Sequence, residues 1–156
     1  MDLTIDVEDY KLNVRSSGLI IHDNFILTHH NLESDHYALP GGRIEIGEDS
    51  VSTVKREFLE ETGKEIEVKE CAAVVENYFT HDGKKYHEIL FTHLAEFKNE
   101  EDRKLVTELE NIEKKSHLRY EWLDINKIDE YNVRPYVLKE IIKSKNFPIH
   151  KVNIDK

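Results

Sequence analysis

Cysteine is almost missing from this chain: Cys71 is the only one in 156 residues. That rules out an internal disulfide and any cysteine-rich zinc site, and it fits a reducing compartment. A lone thiol of this kind reads as core filler. Long apolar runs are missing too. No stretch approaches the roughly 20 residues that a membrane span requires, and the acidic start MDLTIDVEDYK has no apolar signal-peptide segment. The expectation is a cytoplasmic protein with no membrane partner. Positive charge is the third shortage, with 22 Lys and Arg against 32 Asp and Glu and a formal net charge of -10. A field of that sign repels polyanions, so duplex nucleic acid is not an expected ligand, and a small phosphorylated ligand needs local help.

What is present suffices for one hydrophobic core, and a single domain over residues 1–156 is expected. A hydrophobic fraction of 38% beside 35% charged residues points to a well-solvated globular surface. Residues 11–30 (KLNVRSSGLIIHDNFILTHH) read as two strands separated by Asp23-Asn24, a two-residue hairpin turn. Gly18 then falls inside a strand, where glycine marks a bulge or a close backbone approach. Residues 66–78 and 86–97 read as a strand pair flanking His81-Asp82-Gly83-Lys84. Residues 120–123 read as a short strand, and 135–144 as a helix opened by Pro135 with Val137, Leu138, Ile141 and Ile142 at helical spacing. The charged stretch 99–115 reads either as a mobile loop with a helical turn or as a short exposed helix. Strands and helices in this order imply a mixed sheet with helices packed on it.

The chemistry gathers in LPGGRIEIGEDSVSTVKREFLEETG, residues 39–63. Pro40, Gly41 and Gly42 punctuate a turn; Asp49 or Ser50 caps a helix that runs to Thr62 and stops at Gly63. Val51, Val54 and Phe58 form its apolar stripe. Glu57, Glu60 and Glu61, at i, i+3 and i+4, crowd onto overlapping parts of one face. Such carboxylates repel one another and, near the helix C-terminus, oppose its dipole. A hard divalent cation with oxygen ligands relieves both, which makes Mg²⁺ or Mn²⁺ the expected cofactor. The alternative is an ordinary solvated acidic face.

The frame around those carboxylates is specific. Gly42, five residues, Glu48, seven residues, Arg56-Glu57, two residues, Glu60-Glu61, one residue and Gly63 resemble the Nudix box of the Nudix (MutT-like) hydrolases at every invariant polar and glycine position. One departure is Lys64, where the family carries an aliphatic residue; Ile66 follows two positions on. The likeness extends over residues 13–144 and implies an α/β/α sandwich on a mixed sheet. It also implies metal-dependent hydrolysis of a nucleoside diphosphate linked to another moiety.

By the same resemblance Glu57, Glu60, Glu61 and the Gly41 carbonyl are metal ligands, Arg56 and Glu48 pair across the loop, and Gly42 and Gly63 support the turn and helix end. The catalytic base is either Glu60 or Glu57 on the helix, or Glu108, Glu110 or Glu113 in the later charged segment. Arg15 and Arg43 are candidates for phosphate contact, with snorkelling and a plain surface role as the alternatives. Tyr78, Phe79 and Tyr86 can stack on a base or serve as packing aromatics. Of His87-Glu88, strand alternation turns one toward core or pocket. His29 and His30, as strand neighbours, point to opposite faces and do not readily share a zinc ion with His36. Hydrolysis of nucleoside triphosphates and a non-catalytic nucleotide sensor are the competing readings. The absence of proline between Gly41 and Arg134 weakens an ADP-ribose substrate. Dimers are common in the family, and the sequence marks no interface.

Overall fold

Strand alternation around residues 10–19 sets the frame of the molecule, seen here in a computed structural model that describes residues 1–103 and 117–155. β2 (Tyr10–Leu19) lies between β1 (Thr4–Val7), antiparallel to it, and β8 (Lys84–Phe97), parallel to it. β8 pairs antiparallel with β7 (Ile66–His81), whose other edge takes β10 (Ile149–Ile154) in parallel. The short β6 (Gly41–Arg43) runs antiparallel along β2. This is the expected mixed sheet. A second sheet is antiparallel: β3 (Ile21–His22), β4 (Phe25–Asn31) and β5 (His36–Ala38), with β9 (Leu118–Asp124) also on β4.

The helices cover both faces of the larger sheet. α1 (Ser50–Thr62) buries Val54 and Phe58 with Ile66, Ala95 and Phe97. α3 (Leu138–Ser144) buries Leu138, Ile141 and Ile142 with Leu19, Val75 and Leu90 from the opposite face. The run through residues 11–22 is thus one apolar stretch serving two sheets, split at Ile20. The Asp23-Asn24 turn is as expected, with both residues at positive φ, 48° and 64°. Asp82-Gly83 closes the long hairpin in the same way, so those strands extend to His81 and from Lys84.

One reading needs correction, and two strands and one helical turn are added to it. The last helix begins at Leu138 and not at Pro135, because the Leu138 N–H donates to the Pro135 carbonyl in a preceding turn at 3.0 Å. β1 and β10 were not marked by the sequence; both are edge strands whose outward positions carry exposed Ile5, Val7, Val152 and Ile154, so no clean alternation shows. The stretch 99–115 opens with a helical turn, α2 (Glu100–Arg103). Glu108, Glu110 and Glu113 lie outside the described residues.

At Lys64 the chain leaves the box pattern without losing the core contact. Lys64 Nζ reaches outward to Asp102 at 3.0 Å, and Ile66, buried to 5% exposure, enters the α1 cluster. Gly18 lets α1 approach the sheet: a Cβ there would lie 2.8 Å from Phe58 Cε2 and 3.4 Å from Val54 Cγ2. Phe58 is fully buried and cannot yield freely.

The turn after β6 is fastened to α1 by one guanidinium. Arg56 Nε donates to Glu48 Oε1 at 2.8 Å and Nη2 to Glu48 Oε2 at 2.9 Å, a fork-to-fork pair. Thr53 Oγ1 and the Glu45 N–H also donate to Glu48 Oε2. The Arg56 bonds, helped by Thr53 and Glu45, hold the Glu48 carboxyl down at about 2 against its ordinary 4.5. A depressed carboxylate stabilises the fold fully above its unfolded value and loses that contribution as pH falls toward the folded one.

Two outcomes follow from this packing. Gly18→Ala lowers stability by about 1–3 kcal/mol in urea unfolding, and a double-mutant cycle with Phe58→Leu recovers part of that loss; independent effects would contradict the contact. Glu48→Gln costs about 1.5–3 kcal/mol at pH 7. The gap in Tm between wild type and this variant narrows as pH is lowered from about 4.5 toward 2; a gap that is constant with pH would contradict the pairing.

Candidate active site

α1 forms where the sequence places its signals. Asp49 caps it by accepting from the Ser52 N–H at 2.8 Å, and Gly63 ends it at φ 70° with its N–H on the Leu59 carbonyl. Helical spacing then sets Glu57, Glu60 and Glu61 side by side, in different surroundings. Glu60 is half exposed, and Arg56 Nη1 reaches its Oε2 at 3.3 Å. Glu61 is buried: Tyr120 Oη donates to its Oε2 at 2.7 Å, and His29 Nε2 lies 3.1 Å from the same oxygen. Glu57 is tucked beneath β6, where a Cβ on Gly42 would come within 2.3 Å of its carboxylate.

The two glycines are therefore needed for contact. Gly41 and Gly42 are strand residues facing Ser17 and Ser16 of β2. A Cβ on Gly41 would lie 2.1 Å from the Ser16 carbonyl oxygen. The turn expected at these positions is displaced to the following residues, with Gly47 at φ 87°.

Charge in this region is out of balance. Arg56 Nη1 donates to Glu57 Oε1 at 3.0 Å and its Nη2 to the Arg43 carbonyl at 3.2 Å. One guanidinium therefore serves Glu48, Glu57 and Glu60 together. Burial pushes the Glu57 carboxyl above the ordinary carboxylate range, and the neighbouring charges of Glu61 and Glu60 add to the rise, against the pull of Arg56. An all-oxygen donor set with surplus negative charge suits a hard divalent cation. Arg56 bonds to both Glu57 and Glu60, and no three His, Cys, Asp or Glu groups converge on one point among the described residues. Glu60, at 49% side-chain exposure, can turn away from Arg56 without leaving a buried position.

On the face of β2 that carries Asn13, Arg15 and Ser17, away from α1, lies a cavity of about 420 Å³. Arg15, Arg43 and Tyr86 line it. Arg15 and Arg43 face each other across the β2–β6 pair, and Arg43 Nη1 is 3.7 Å from Asp2. Tyr78 does not line it: alternation turns it to the other side of β7, where it packs on His87 with ring centroids 4.5 Å apart. Phe79 lines the cavity, stacked on Tyr86 at 4.7 Å and 8°. Of the His87-Glu88 pair, Glu88 is the one that lines it. The sequence also left Asn13, Asn77 and Arg134 unmarked. Asn13 shares the face of Arg15 two residues on, but the register that brings Asn77 opposite Glu88 is not written in local pattern. His29 and His30 diverge as expected: His29 meets Glu61 and Tyr120, whereas His30 stacks on Tyr37 and contacts Asp35 and Glu121.

Comparison with known proteins agrees with this architecture. The NUDIX domain pattern matches residues 12–142. No curated protein matches the chain. Among solved structures, the mMutator MutT protein from Bacillus halodurans is similar at 26% identity and a TM-score of 0.61, over 84% of this chain and 80% of that one. The MutT protein from Methanosarcina mazei Go1 shares the fold at 22% identity and a TM-score of 0.57, over 89% and 95%. A structure described as a UDP-X diphosphatase shares it at 18% identity and 0.58, over 90% and 66%. With the box residues assembled on one helix face and the family pattern covering most of its length, the chain belongs to the Nudix hydrolases.

Proposed function

We propose that this chain hydrolyses the pyrophosphate linkage of a nucleoside diphosphate joined to another moiety, with Mg²⁺ or Mn²⁺ as cofactor. The observation that carries this reading is that β2 joins the two halves of the site. Its Ser16 and Ser17 meet the glycine pair over Glu57, and its Arg15 and Asn13 line the adjoining cavity. In this reading a ligand in the cavity directs its phosphates past Arg15 and Arg43 toward the edge of the sheet at the glycine pair, where Glu57 lies under Gly42.

Glu57, Glu60, Glu61 and the Gly41 carbonyl hold the cation in this reading. When bound, it neutralises phosphate charge and acts as a Lewis acid at the attacked phosphorus. Arg56 acts through others: it orients Glu57 and Glu60 and ties them to the turn at Glu48. Arg15 and Arg43 donate to phosphate oxygens at the cavity wall, supplying the positive charge that the molecule as a whole lacks. Water attacks one phosphorus in line with the P–O bond, and a carboxylate takes its proton. Glu60 takes it in this reading, which is supported by Glu57 being covered by Gly42 and Glu61 engaged by Tyr120.

Replacing Glu60 by Gln lowers kcat about 10²- to 10⁴-fold, and Glu61→Gln abolishes the metal dependence of what remains. Phosphate release is measured over dinucleoside polyphosphates, nucleotide sugars, ADP-ribose and nucleoside triphosphates. Near-normal turnover by folded Glu60→Gln would remove the helix from the mechanism. Nucleotide binding without phosphate release under any divalent metal would favour a sensor.

A further inference from the structure

Four adjacent strands contribute one residue each to a single polar row, three members of which, Asn13, Glu88 and Asn77, line the cavity. Asn13 of β2 stands opposite Glu88 of β8, Glu88 opposite Asn77 of β7, and Asn77 opposite Asn153 of β10. All four are more than nine-tenths buried. The hydrogen bonds run in one direction. The Val137 N–H donates to Asn153 Oδ1 at 3.3 Å, Asn153 Nδ2 to Asn77 Oδ1 at 2.9 Å, and Asn77 Nδ2 to Glu88 Oε1 at 3.2 Å. From the other side Asn13 Nδ2 donates to Glu88 Oε2 at 3.3 Å.

This direction fixes what the row offers. Turning over either amide beside Glu88 would press an oxygen against the carboxylate, so both must present their NH₂ groups. Asn13 Oδ1 is then left without a partner although Asn13 is 3% exposed. Glu88 makes no ion pair among the described residues. A buried carboxylate held only by neutral amides, next to an unpaired acceptor, is a poor way to join strands. In the next row the same two central strands are joined by an apolar pair, Leu90 opposite Val75. Each Glu88 oxygen accepts one amide bond and keeps a lone pair for another donor.

We propose that Glu88 and Asn13 form a base-recognition floor that selects a guanine-type edge, in which a ring N–H lies next to an exocyclic amino group. A surface made only of acceptors matches two adjacent donors. It disfavours uracil and thymine, whose ring N–H is flanked by carbonyls, and adenine and cytosine, whose amino group adjoins an unprotonated ring nitrogen. The stacked Phe79–Tyr86 pair gives the base a face to lie against. Spacing along β2 agrees. At about 3.3 Å per residue, Arg15 lies about 7 Å from Asn13, and Ser17, opposite Gly41, about 13 Å. These distances suit a base at one end and its phosphates at the other. The inference deepens the hydrolase reading and rests on it for the placement of the phosphates.

Direct titration of the full chain with GDP, IDP, ADP and UDP in chelator tests the floor apart from the chemistry. GDP is expected to bind at least 10-fold tighter than IDP, which lacks only the exocyclic amino group, and tighter than ADP and UDP. Glu88→Gln is expected to bring the GDP-to-IDP affinity ratio down to near one. The wild-type GDP-to-IDP ratio needs no variant and decides the matter if Glu88→Gln does not fold. Equal affinities, or no binding of any of the four, would overturn the proposal. Hydrolysis with Mg²⁺ separates the two claims. Turnover that ignores the base would sink the floor and leave the hydrolase standing. Selective GDP binding without turnover of any substrate would do the reverse.

Discussion

A single guanidinium holds the site together. Arg56 reaches Glu48, Glu57 and Glu60 at hydrogen-bond distance, with Glu45 at 4.0 Å. It thereby fixes the glycine-bearing β6 and its turn against the helix that carries the acidic face. The bidentate bond to Glu48 is the structural half of this arrangement; the weaker reach to Glu57 and Glu60 is the half that a cation can replace. One positive charge cannot neutralise so many carboxylates, and the Glu57 carboxyl, raised first by burial, is raised further by the charges of Glu61 and Glu60. The site is built with negative charge to spare, which is the condition for binding a divalent ion and, through it, an anionic substrate.

β2 turns this local cluster into a cavity with two ends. Its outward alternation places Asn13, Arg15 and Ser17 along one face, from the buried amide row to the glycine pair. The opposite face takes α1, at the one position, Gly18, where a side chain is missing. A strand that packs a helix on one side and lines the cavity on the other couples the stability of the core to the shape of that cavity. The molecule as a whole carries a net charge of -10, yet Arg15, Arg43 and Arg134 all line the cavity. Local charge there runs against the global field, which favours a small anion over a long polyanion.

Much of this was legible in the chain itself because the signals are local. Asp49 and Gly63 bound the helix, 3.6-residue spacing aligns Glu57, Glu60 and Glu61, and the Asp23-Asn24 and Asp82-Gly83 turns announce their hairpins. Other features depend on distant register. The Asn13–Glu88–Asn77–Asn153 row joins positions up to 140 residues apart (153 − 13), and nothing in any one strand marks it. Tyr78 and Phe79 show the limit within a strand. Both are aromatic, alternation sends only one to the cavity, and the choice is set by pairing with β8. The roles of Gly41 and Gly42 were likewise hidden, since contact with Ser16 and Glu57 demands a small residue without any unusual φ.

Calorimetric titration of the folded protein with Mn²⁺ and Mg²⁺, with and without a nucleotide, tests the electrostatic account most directly. Saturable metal uptake by the wild type, weakened at least 10-fold in Glu57→Gln with the fold intact, is the predicted result. Absence of uptake under both conditions, or uptake unchanged by that substitution, would contradict it.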